Sequence, residues 1–202
     1  MPRPLPLALA LLLLLPAAAA LARPAPPPEA LQALNAERIR ANTRAVWGLA
    51  GWTSLNLVGS TVGALTAEGR QGRAFHLANA GVSAFTLGAA GMGLLVLRAQ
   101  EPARMGPHTS LRRGVLLERL LGVGIAMDLA ALGAGAFLRE RGTGRDVAWM
   151  RGAGTALLVQ GSLLLLFDAA LLLRNAGFNG QLMWMLHAPA RGGVGVGLGG
   201  QF

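Results

Sequence analysis

The chain has 202 residues, 53% apolar and 13% charged, with a mean hydropathy of +0.48, whereas a soluble domain carries about 25% charged residues; a membrane class leads, with room for one domain. All eighteen basic residues are arginine and cysteine is absent, which excludes a Walker A phosphate loop, Schiff-base chemistry, disulfides, thiolate nucleophiles and cysteine metal sites. The net charge of +9 gathers at the ends of apolar runs rather than along a stripe, which argues for membrane flanks and against a nucleic-acid partner.

Residues 1–22 read as a signal peptide, with Arg3, the apolar run Leu5–Leu15 and an A-x-A site at Ala20-Leu21-Ala22. An uncleaved anchor is the alternative, set against by Pro6 and Pro16. Residues 23–44 form an extracytoplasmic lead-in: a polyproline-like spacer, Arg23–Pro28, then a short surface helix opening on Pro28 and Glu29. Its alternative is a solvated charged segment.

Four apolar runs follow, at residues 45–67, 74–97, 115–138 and 152–173. Each is long enough to cross a hydrocarbon core of about 30 Å at ~1.5 Å per residue. Trp47 and Trp149 lie where indoles anchor at the interface. The polar turn Glu68–Arg73 forces the first two runs antiparallel, and 139–151 is a second turn, between the last two. Residues 174–202 read as a flexible glycine-rich tail. Val194, Val196, Leu198 and Phe202 alternate like a closing barrel strand, but the other runs are too long and continuous to be barrel strands. A signal peptide puts both short turns in the cytoplasm, where arginine is densest, and both mature termini outside it. The expected fold is an all-α polytopic four-helix bundle in the inner membrane.

The first and third runs match at an offset of 72: Trp52, Asn56, Gly59 and Gly63 align with Gly124, Asp128, Ala131 and Gly135. The spacing puts each set on one helix face, and Gly59–Gly63 is a GxxxG pair. This suggests a duplicated two-helix hairpin; the poor match of the other two runs leaves coincidence as the alternative. The second run has a small and polar face at Asn79, Ser83, Thr86, Ala90 and Gly93. In the fourth, Gly154, Gly161, Asp168 and Asn175 recur every seven residues, the period of left-handed packing.

Asp128 lies near the middle of an apolar run and is the costliest residue in it. At mid-span an aspartate costs ~2.5–3.5 kcal/mol, and the eight Leu, Ile, Val and Phe residues of Leu120–Leu138 return roughly 2.4–4.8 kcal/mol. Insertion is marginal, so Asp128 should face the interior near Asn56 or Asp168, or be protonated. One reading is a proton or ion site; the other is interhelical hydrogen bonding at ~0.6 kcal/mol per bond. The intramembrane polar candidates are Asp128, Asn56, Asp168, His76, Asn79 and Gln160. Glu118 reads as a surface partner of Arg119. His108 and His187 have no neighbour at metal spacing, and no nucleophile motif is present, so no catalytic residue, metal or cofactor is expected.

The residues Leu34-Asn35, Arg38, Asn42, Gly51-Trp52, Asn56, Phe75-His76 and Asn79-Ala80-Gly81, then Leu117-Glu118, Gly122, Asp128, Arg141-Gly142, Gln160-Gly161 and Asp168, resemble those of an uncharacterised bacterial membrane-protein family. That family has a signal peptide and four predicted spans, so the resemblance implies architecture and no activity. It also singles out Asn35 and Arg38. The function expected is a structural or accessory membrane component. The alternatives are a proton- or ion-coupled channel or transporter subunit using Asp128, Asn56 and Asp168, and an intramembrane hydrolase using His76 with Asp168. The expected partner is the lipid bilayer, with a homo-oligomer or a second membrane protein beyond it.

Overall fold

Pro28 opens the first helix, where its missing N–H costs no hydrogen bond, and Glu29 meets the positive helix end. The structure, a computed structural model, describes residues 28–187. The expected signal peptide, most of the proline spacer, and Val194–Phe202 lie outside the described residues. Within them are α1 (Pro28–Thr66), α2 (Arg70–Arg98), a 3-10 turn (Pro102–Arg104), α3 (Pro107–Gly144) and α4 (Ala148–His187).

The helices overrun the apolar runs. At ~1.5 Å per residue the 40 residues of α4 reach about 60 Å, twice a hydrocarbon core. The lead-in is therefore no short helix but the first part of a 39-residue one. Residues 174–187, expected to be flexible, are the last turns of α4. The expected turn at 139–151 shrinks to Arg145–Val147, because polar residues at a helix end stay helical once they have partners. Asp146 turns the chain at φ 53°, a left-handed conformation that aspartate tolerates. Arg151 then closes the turn, donating to Asp146 Oδ1 (2.7 Å), Gly142 O (3.4 Å) and Gln71 Oε1 (3.2 Å).

By length and composition α2, α3 and α4 can each cross a membrane. α1 does not meet that standard: Trp52, Asn56 and the glycines and threonines around them dilute its apolar half. Polarity runs inside out. Many large apolar residues are exposed, among them Leu55, Leu65, Phe85, Leu166 and Leu173, and Trp47 and Trp149 are exposed as well. The interior holds Thr53, Ser60, Asn79, Ser83, Asp128, Gln160 and Asn175. Such a surface is fit for lipid and not for water. The fold is an all-α polytopic membrane bundle.

Two antiparallel hairpins, α1–α2 and α3–α4, dock through α2 and α4. The pairing is what a duplicated hairpin would produce, yet the matched faces differ in use. Asp128 is buried, whereas Gly59 looks into open space and Trp52 is 46% exposed. Thr53 and Ser60 face inward instead. The GxxxG reading holds for Gly63 alone, which receives the ring of His76.

The α3–α4 contact is a heptad seam on both sides. Gly114, Leu121, Asp128, Gly135 and Gly142 are buried on α3, seven apart, against Gly154, Gly161, Asp168 and Asn175 on α4. Large or polar residues meet glycine across it: Asp168 lies on Gly124, Asn179 on Gly114, and the Asp128 backbone on Gly161. A Cβ on Gly135 would come within 2.9 Å of Gly154 O, and one on Gly154 within 2.6 Å of Arg139 N. This is the left-handed packing that the seven-residue period of α4 implies.

The helix ends beyond the apolar runs form a head. Leu31, Leu34 and Ala41 of α1 pack with Phe178 and Leu182 of α4, and Leu111, Met185 and Leu186 pad the cluster. Beside it Asn35 donates to Met105 O (3.2 Å), Ser110 Oγ donates to Asn35 Oδ1 (2.5 Å), and Arg38 Nη1 donates to Ser110 O (3.0 Å). These bonds tie α1 to the start of α3.

Candidate functional site

Three of the six polar candidates form one hydrogen-bonded group. Asn79 Nδ2 donates to Ser60 Oγ (2.5 Å) and, at 3.5 Å, to Asn56 Oδ1; Gln160 Nε2 donates to Asn79 Oδ1. Asn79 thus bridges α1 and α4 from α2, which lies between them. Its position follows from the α2 face Asn79, Ser83, Thr86 and Ala90, all buried. Asn56 also donates to Trp52 O (3.1 Å), a bond back to its own helix. Ser60 has no counterpart among the sequence candidates. Its signal is the seven-residue step from Thr53, which the choice of Asn56 as the inward residue obscured.

Asp128 and Asp168 both lie on the α3–α4 seam: Asp168 packs on Gly124, one helical turn before Asp128 on the same α3 face. Of the two neighbours expected for Asp128, the structure supplies Asp168. Asn56 bonds across to α2 instead. Among the described residues the ion pairs are Arg104–Glu101 and Arg151–Asp146, so neither acid is matched with an arginine. Asp128 Oδ2 is buried without a hydrogen-bond partner. Glu118 accepts from Asn179 Nδ2 (2.8 Å) rather than pairing with Arg119, since the helical extension of α4 brings Asn179 alongside.

His76 stands apart from both acids. Its ring fills the space left by Gly63, edge-on to Phe75 at 5.2 Å, with Nδ1 buried and unpartnered. The Gln160–Asn79 bond sets the register of α2 on α4 and puts His76 level with about residue 157. Asp168 is then some 17 Å further along the axis at ~1.5 Å per residue. The His76–Asp168 pair needed for hydrolysis is not brought together.

Between the hairpins, below the head, lies a cleft of about 780 Å³ lined by all four helices. Its walls are apolar, with Val46, Leu49, Ala90, Leu117 and Leu171 among them. Arg38, Asn42, Arg113 and Asn175 lie at its head end, and Asp168 at its deep end. Sequence reasoning missed the cleft, because a gap between helices is a property of their crossing and not of any one run. Arg38 is 5% exposed; burial, then the charge of Arg113, hold its pKa below the ordinary guanidinium value.

No curated protein and no solved structure matches the chain. A family model matches residues 48–169, from the first turns of the expected first span to just past Asp168. It therefore covers both polar groups, His76 and most of the cleft. The chain belongs to that family, a family of unknown function (DUF6992).

Proposed function

We propose that the protein is a small polytopic inner-membrane component of structural or accessory type, without catalysis, carried to the membrane by a signal peptide at 1–22 and holding both mature termini outside the cytoplasm. In this reading α1 crosses beside α2, against which it packs. The observation that carries the reading is the use made of the polar residues: Asn56, Ser60, Asn79 and Gln160 bond to one another across three helices, so their polarity serves assembly. In proteoliposomes Asp128→Asn is expected to leave proton permeability unchanged and to accumulate in the membrane as the parent does. Loss of a proton flux carried by the parent protein would overturn it.

A second reading, a proton- or ion-coupled channel or transporter subunit, draws on one feature. Among the described residues Asp128 Oδ2 has no partner, Asp168 packs one helical turn away on Gly124, and Asp168 lines the cleft. Intramembrane acids facing a cavity mark ion paths in other membrane proteins. The same flux measurement decides between the two.

A further inference from the structure

We propose that the cleft between the hairpins holds one anionic phospholipid, its phosphate at Arg38 and Arg113 and an acyl chain against the apolar walls below. Three observations converge on this occupant. The first is charge: Arg38 and Arg113 share the head end of the cleft, with no carboxylate paired to either among the described residues. The second is unused hydrogen-bonding capacity. Arg38 Nη1 is committed to Ser110 O, but Nη2 is buried without a partner. A buried guanidinium with an idle nitrogen is costly alone and well suited to a phosphate oxygen. The third is shape. The mouth of the cleft is flanked by exposed Met92 and Val96 of α2 and Leu116 and Leu120 of α3, so it opens sideways to the lipid phase.

Depth agrees with the assignment. Arg38 stands seven residues before the first expected span, at headgroup level, and the apolar walls run from there into the bundle. Asp168, the one acid lining the cleft among the described residues, packs on Gly124. Gly124 is eleven residues beyond Arg113 on α3, roughly 17 Å at ~1.5 Å per residue, so the acid lies at tail depth and does not oppose the phosphate. The proposal stands whether Asp128 serves assembly or handles protons.

The test is native mass spectrometry of the full chain released from nanodiscs holding equal phosphatidylglycerol and phosphatidylcholine with matched acyl chains. One phosphatidylglycerol per chain is expected to be retained, in about tenfold preference over phosphatidylcholine. Arg113→Gln should abolish that preference. Ala89→Trp, at an exposed position lining the cleft, should remove retention of both lipids. Arg38→Gln should act as Arg113→Gln does; if it fails to fold, the other two variants carry the test. Equal retention of the two lipids, an unchanged preference in Arg113→Gln, or retention undiminished in Ala89→Trp would each overturn the proposal. So would displacement of the lipid by inorganic phosphate, which would reveal an anion site with no need for a tail.

Discussion

Asn79 makes more cross-helix side-chain bonds than any other of the six polar candidates, with Ser60, Asn56 and Gln160 all on its amide. Replacing it removes the bridge and leaves Ser60 and Gln160 unpaired in a dry interior. Asn79→Leu should therefore lower stability by about 0.6–1.7 kcal/mol, the range for polar contacts between membrane helices, in denaturant titration of the detergent-solubilised protein. Gln160→Leu alone should cost a similar amount. The double variant should cost less than the sum, because the first change already deprives Gln160 of its acceptor. Asn79, Gln160 and Asn56 were each legible in the sequence as polar residues in apolar runs. Ser60 was not, since serine on a membrane helix returns its hydroxyl to its own backbone at little cost and attracts no notice.

At the scale of the element, α3 and α4 owe their close approach to glycine. Gly135 faces Gly154 O and the Leu158 backbone N, which cannot move aside as a side chain can, whereas Gly133, two residues earlier, has nothing within 4 Å. Gly135→Leu should destabilise the bundle by about 1–3 kcal/mol or more, and Gly133→Leu should stay within about 0.5 kcal/mol of the parent, both read by the same titration. The seam of α4 could be read from its sequence, as Gly154, Gly161, Asp168 and Asn175 stand out among leucines. The matching seam of α3 was legible only at Gly124, Asp128 and Gly135, which the sequence puts on one face. Leu121 within it is chemically like the lipid-facing Leu120 and Leu129, and only the partner distinguishes them. The offset of 72 between the first and third runs led the other way, to Asn56 as the equivalent of Asp128. The two helices use different faces because α1 packs chiefly on α2, while α3 packs on α4.

For the whole molecule, the head joins the helix ends into one unit with the bundle. Leu182 is fully buried against Leu31 and Leu34, which lie almost the whole described chain away. Leu182→Ala should cost about 2–5 kcal/mol of stability, and the backbone amides of residues 175–185 should exchange in the parent as slowly as those of the apolar α4 segment. Rapid exchange there would show that the head forms apart from the bundle. The sequence alone determined the helical class and the four apolar runs, because hydropathy and run length are local properties that each segment carries by itself; it did not show that the lead-in and the first run are one helix. It also marked Asn35 and Arg38, without saying what they touch. The tertiary structure decided that residues 174–187 are helical, that Asp168 packs on Gly124 one helical turn from Asp128, and that a cleft opens between the hairpins. Each of these rests on a register between segments far apart in the chain, as in the bond of Ser110 to Asn35, 75 residues away. A pattern within one helix shows which face is turned inward; which residue of another helix comes to meet it depends on how the two cross.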